Sequence, residues 1–326
     1  MHVRRGFLGW GVFLILAGAV PLLVRSGTIS EDQVGRLWSL WPLILIGIGI
    51  GLILSRTRFD FVGGLVVAAT LGLMAGGLLS SGVDRLSTSA CGSDSASVAF
   101  PAQDGTLTGE TGSVDLALNC GDLTMTAAAG SEWHIEGSDR NGIGPEVEAD
   151  ADSLRIKSQD DDEPWWVLGT RESWRIEVPA DERLEVDLEL NAGSSTVTLP
   201  GARLDTLDLV LNAGSTRIDL TSIAAIGGVD FTLNAGSLNL SLPAVSMTGT
   251  IQANAGAVKL CAQPGVALRL ETGESIVASY DYAEEGLVQD GSVWSTPGFE
   301  SAEVKIDLRT GANAGSFTLN PEGGCG

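Results

Sequence analysis

Histidine is nearly absent from the 326 residues: there are two, and only His134 lies beyond the extreme N-terminus. That scarcity removes most catalytic triads built on an imidazole base. Cysteine is restricted to Cys91, Cys120, Cys261 and Cys325 with no C-x-x-C spacing, so a zinc site lacks its usual ligands. No glycine-rich loop leads from a strand into a helix, which removes the common phosphate cradle. Positive charge is also scarce. Nineteen Lys and Arg against 41 Asp and Glu give a net charge of −22, which repels nucleic acid and anionic headgroups and attracts cations or basic partners. These absences describe a chain with no cofactor, no nucleic-acid partner and no recognisable catalytic machinery. Carboxylates are abundant, yet no pair stands out as glycosidase-like. Asp160-Asp-Asp-Glu163 lacks the spacing of a calcium loop and reads as a solvated turn.

What is present is unevenly distributed. The first 81 residues hold six basic and three acidic groups, and the remaining 245 hold 13 and 38. Gly6 to Val24, Leu37 to Leu54 and Phe61 to Leu79 are uncharged runs of 18 or 19 residues, each long enough for a helix to cross the hydrocarbon layer. Residues 1–81 are therefore expected to form a three-span anchor in the lipid bilayer. Trp10, Trp38 and Trp41 sit near span ends, where indoles favour the headgroup layer. Arg4 and Arg5 before the first run, with Arg56 and Arg58 between the second and third, place those segments in the cytoplasm. Everything after about Ser81 then lies outside. No ionisable residue falls within a run, which argues against a transporter. Gly47, Gly49 and Gly51, and Gly72 with Gly76, permit close helix packing: either a homo-oligomer face or the ordinary glycine content of membrane helices.

Residues 82–111 read as a Ser-rich juxtamembrane linker and a first strand, and 112–326 as a repetitive β domain. Segments such as Leu184-Glu-Val-Asp-Leu-Glu-Leu190 alternate with strand periodicity. One unit recurs: Asn191-Ala-Gly193, Asn212-Ala-Gly214, Asn234-Ala-Gly236, Asn254-Ala-Gly256 and Asn313-Ala-Gly315. The steps are 21, 22, 20 and 59 residues, the last close to three periods, with Glu271-Thr-Gly-Glu274 keeping a glycine between. Leu118-Asn-Cys-Gly-Asp122 resembles an earlier copy. A period of about 20 residues is the signature of a solenoid whose coils pair with those above and below. The expected fold is thus an all-β, β-helix-like solenoid of about 20-residue coils preceded by three transmembrane α-helices. Asn-Ala-Gly suits a corner, where glycine tolerates positive φ and stacked amides can form a ladder.

Trp165, Trp166 and Trp174 stand beside the acidic turn, and such aromatics either cover an end of the solenoid or offer a flat face to a sugar or partner. All four cysteines lie in the region assigned to the outside, where disulfides persist. Three pairings are possible, and Cys91 with Cys120 and Cys261 with Cys325 keeps partners closest along a linear stack.

Arg5-Gly-Phe-Leu-Gly-Trp-Gly11 and the Leu40-Trp-Pro-Leu-Ile-Leu-Ile-Gly-Ile-Gly-Ile-Gly51 run resemble the membrane region of LiaF-like bacterial proteins, over about residues 5–80. The Asn-Ala-Gly series resembles the toast-rack and related adhesin-like β domains joined to such anchors. The resemblance implies a non-enzymatic sensor or regulator of the cell-envelope stress response, working beside a membrane histidine kinase. A surface adhesin or glycan-binding module is the alternative it leaves.

Overall fold

The computed structural model describes residues 13–15, 45–46, 64, 66–73, 97–159, 171–273, 278–321 and 324. The chain divides into two compact units, Met1–Leu86 and Ser87–Gly326.

In the first unit the described residues are helical, the longest continuous stretch being 66–73. Those eight residues rise about 12 Å, less than half of a bilayer's hydrocarbon thickness of roughly 30 Å. No helix among the described residues is long and apolar enough to cross a membrane. The expectation of three transmembrane helices is corrected on that ground. Most of the three apolar runs, Gly47, Gly49, Gly51 and Gly76 among them, lies outside the described residues.

The second unit is built almost wholly of strands. In chain order they begin β1 (Val98–Ala99), β2 (Gln103–Thr106), β3 (Thr111–Leu118), β4 (Gly121–Ala128), β5 (Glu132–Asp139), β6 (Glu146–Ala149) and β7 (Ser153–Lys157). There follow β8 (Glu172–Pro179), β9 (Arg183–Leu190), β10 (Gly193–Thr198), β11 (Arg203–Leu211), β12 (Gly214–Asp219), β13 (Ala225–Leu233) and β14 (Gly236–Ser241). The last are β15 (Met247–Cys261), β16 (Ala267–Thr272), β17 (Ser279–Asp281), β18 (Val288–Asp290), β19 (Val293–Ser295) and β20 (Lys305–Leu319). The 82–111 segment, expected to hold one strand, contains β1, β2 and the first residue of β3.

Each coil contributes one strand to each of two rows. The first row runs β7, β3, β9, β11, β13, the first half of β15, the first half of β20, then β16, all parallel. The second runs β8, β4, β10, β12, β14, the second half of β15, the second half of β20, then β17, also parallel. Antiparallel strands close the ends: β6 on β7, β5 with β1 and β2 on β8, and the β18–β19 hairpin on β16. Such caps cover strand edges that would otherwise template further pairing.

Alternation dictates which way each strand faces. Leu184, Val186, Leu188 and Leu190 of β9 are buried while Arg183, Glu185, Asp187 and Glu189 are exposed. A slip of one residue would turn four apolar side chains outward, each worth about 1.5–3 kcal/mol when buried. After an extra residue between Leu204 and Leu207 in β11, and between Ile226 and Val229 in β13, the same alternation resumes, and the inward residues of both rows merge into one apolar core.

At both ends the stacking order departs from chain order. The coil of β3 and β4 lies between that of β7 and β8 and that of β9 and β10. At the other end β20, last in sequence, inserts between β15 and the coil of β16 and β17. The 59-residue step is therefore not three periods of stack. Asn313 lies directly against Asn254, and residues 267–272 and 279–281 belong to the coil beyond.

Candidate functional site

The regular surface of the solenoid offers two side-chain rows, one at a corner and one on a face. At the corner, the amide nitrogen of Asn191 donates to Asn119 Oδ1 at 3.1 Å, Asn212 to Asn191 at 2.6 Å and Asn234 to Asn212 at 2.6 Å. Asn254 donates to Asn234 and Asn313 to Asn254, both at 2.7 Å. Backbone bonds reinforce the row, with Asn191, Asn212 and Asn234 N–H donating to the carbonyls of Leu118, Leu190 and Leu211. The glycines two positions on are set by contact as well as by conformation. Gly121, Gly193, Gly214 and Gly236 have φ between 129° and 154°. A Cβ on Gly193, Gly214, Gly236, Gly256 or Gly315 would overlap the carbonyl oxygen of the preceding glycine in the stack. The ladder uses one amide hydrogen and the oxygen of each interior asparagine, so it spends its polarity on neighbouring coils.

The second row lies on the outer side of the first strand row. Register aligns Asp115, Asp187, Asp208 and Asp230 on consecutive strands. Arg155 faces Asp115 at 3.4 Å and also reaches Glu148 at 3.7 Å. At the other end the row passes through Thr250 to Arg309, which pairs with Glu271 at 3.2 Å. Four carboxylates at the strand spacing of about 4.8 Å repel one another. Partial burial, followed by the charges of Asp208 and Asp115, pushes the Asp187 carboxyl up. Partial burial and the charge of Asp230 push Asp208 up, while a hydrogen bond from Asp187 opposes that. An open groove of about 310 Å³ runs here, lined by Asp115, Asp187, Asp208, Arg155, Lys157 and Val210 among others. Its oxygens form a flat line, whereas calcium requires six to eight converging ligands. Among the described residues no group of His, Cys, Asp or Glu could hold a metal ion.

This row was not singled out in the sequence, although its signal is there. An aspartate stands four residues before the asparagine in Asp115/Asn119, Asp187/Asn191, Asp208/Asn212 and Asp230/Asn234.

A solenoid with such rows, attached to an apolar N-terminal region, matches two families. Residues 93–236 match the N-terminal domain of toast_rack, and residues 9–83 match the LiaF transmembrane domain. The chain joins a LiaF-like membrane region to a toast-rack domain. It is accordingly a membrane-associated protein of the envelope-stress type. No curated protein matches it significantly. Among solved structures, a candidate cell adhesion protein from Clostridium sporogenes ATCC 15579 shows 14% identity and a TM-score of 0.44, over 67% of this chain and 98% of that one. A candidate adhesin from Bacteroides fragilis NCTC 9343 shows 11% identity and a TM-score of 0.29, over 68% and 97%. Neither likeness is close enough to carry a function here. The toast-rack match stops at Gly236, the first residue of β14, but the stack does not: β14 pairs with β12 on one side and β15 on the other.

The aromatic residues considered for ligand contact separate. Trp174 lies in β8 of the toast-rack domain with 1% exposure, so its ring belongs to the core and offers no face to a sugar. Trp165 and Trp166 lie outside the described residues, as does the acidic turn at 160–163. His134 stands 3.9 Å from the Asp104 carboxylate and 4.0 Å from that of Glu136, both too long for hydrogen bonds. Cys120 and Cys261 are both disulfide-bonded, so neither is a thiol nucleophile. Cys91 and Cys325 lie outside the described residues.

Proposed function

We propose that this protein is a membrane-anchored, non-catalytic sensor or regulator of the bacterial cell-envelope stress response, holding its toast-rack solenoid outside the cytoplasm. The observation that carries the reading is the union, in one chain, of a LiaF transmembrane-domain match and a toast-rack match. Neither is an enzyme family, and the described residues gather no nucleophile, base and oxyanion donor into one place. The disulfide-bonded state of Cys120 and Cys261 supports an oxidising compartment for the solenoid. The acidic first strand row suits a basic or cationic partner from the envelope.

In this reading the N-terminal region meets a membrane signalling protein, a sensor histidine kinase being the expected class, while the solenoid meets the envelope. The test is deletion of the gene in its own host, with an envelope-stress reporter read before and after a cell-wall-active agent, together with crosslinking from the apolar region. A shifted reporter and a recovered membrane kinase support the reading. An unchanged reporter together with no signalling protein in the crosslinked fraction would sink it.

A further inference from the structure

The chain has four cysteines, and the two described ones, Cys120 and Cys261, are each disulfide-bonded. They cannot be bonded to each other. Cys120 precedes Gly121 at the corner of the β3–β4 coil, and Cys261 ends β15; register sets them four coils apart, through β10, β12 and β14. At about 4.8 Å per coil that is roughly 19 Å along the stack alone, against a limit of about 7 Å between the Cα atoms of a disulfide. Within one chain the partners left for them are Cys91 and Cys325.

Reach decides which goes with which. Asn320 lies across from Cys261, because Leu319 pairs with Leu260 and the Ala262 N–H donates to Asn320 Oδ1 at 2.8 Å. Cys325 follows Asn320 by five residues, which span about 18 Å at full extension. From Asn320 to Cys120 there are five coils plus six residues of offset along the strands, roughly 31 Å in all. Only Cys261 is within reach of Cys325, which leaves Cys91 for Cys120.

We infer that the toast-rack domain carries two staples, Cys91–Cys120 and Cys261–Cys325, and that the second is a reducible lock on the inserted strand β20. Each staple sits where stacking order and chain order part. Cys120 is 5% exposed, whereas Cys261 is half-buried, so a dithiol meets the second bridge first. Its thiolate attacks one sulfur to give a mixed disulfide, and its second thiol closes the ring. The protein gains two thiols and the reductant leaves as a cyclic disulfide. The second half of β20 then keeps its hydrogen bonds, to β15 on one side and to three-residue β17 on the other, and the burial of Phe317 and Leu319, but no covalent tie. Its first half remains between β15 and six-residue β16.

The test uses the full chain in detergent. Peptide mapping without reductant should recover Cys91 linked to Cys120 and Cys261 linked to Cys325. Under graded dithiothreitol with alkylation, Cys261 and Cys325 should be modified first. Amide exchange at 279–281 and 315–319 should then rise at least tenfold while 183–241 stays protected. Cys325→Ser should give the same exchange pattern without reductant. Cys91 linked to Cys325, bridges between molecules, earlier modification of Cys120, or unchanged exchange at β17 and β20 after reduction would each overturn the proposal.

Discussion

Replacing Asp208 with asparagine should make the solenoid more stable at neutral pH, an unusual direction for a point substitution. Asp208 has Asp187 on one neighbouring strand and Asp230 on the other. Two unit charges about 4.8 Å apart repel by about 0.9 kcal/mol at the dielectric of water, and salt near 0.15 M reduces this by about half. Two neighbours then give about 1 kcal/mol, a value already discounted for solvent because half-buried Asp208 still borders an open groove. For a domain of this size the unfolding midpoint should rise by about 2–4 °C. The sign with pH follows from the raised carboxyls of Asp187 and Asp208. A carboxyl whose folded pKa is raised opposes folding above that pKa and ceases to do so as the pH falls through it. The advantage of the variant is therefore full at pH 7 and shrinks on acidification toward the ordinary value of 3.8. Thermal unfolding of the full chain in detergent, followed by the β circular-dichroism signal at pH 7 and pH 4 and at two salt concentrations, measures all three effects. A variant no more stable than the parent at pH 7 and low salt, or one whose advantage grows with salt, would refute the reasoning.

Three further outcomes are expected. Gly214→Ala drives a Cβ into the Gly193 carbonyl oxygen, so urea unfolding should show a loss of at least about 3 kcal/mol, among the largest for one methyl group. Asn212→Ala removes ladder bonds to both Asn191 and Asn234 and should lower stability by about 1–2 kcal/mol, and Asn212→Asp, which cannot donate to Asn191, should be at least as damaging at pH 7. Burial holds the Tyr282 phenol well above its ordinary pKa, with its hydroxyl 3.2 Å from Thr310 Oγ1. Unfolded tyrosine ionises near pH 10 while the folded one does not, so stability should fall as the pH rises above about 10, and Tyr282→Phe should flatten that alkaline limb.

The solenoid was legible because its determinants repeat. Alternating Leu and Val gave each strand its phase, and Asn-Ala-Gly marked the corner where a missing Cβ lets one coil approach the next. The aspartate row shared that period but lay within strands, where a charge on a solvated face looks unremarkable until register stacks it on its neighbours. Which of its two roles Trp174 takes was not legible, because adjacency to an acidic turn says nothing of the parity of its strand: it occupies an inward position of β8. Stacking order was beyond the sequence altogether. A 59-residue gap is compatible with three intervening coils or with none, and only the pairing of Asn313 with Asn254 distinguishes them. For the membrane region, apolar length predicted spanning helices, whereas the described helix is eight residues long.

The inserted strand also sets when the fold can be completed during synthesis. Residues 267–272 and 279–281 emerge before their own partner exists, so until β20 arrives their coil lacks the parallel neighbour it pairs with in the finished fold. A chain stopped short of Lys305 would thus lose an interior coil, stranding a finished one, where an ordinary linear repeat would merely be one coil shorter. Closure of the stack thus depends on a strand that is made after the coil it must support.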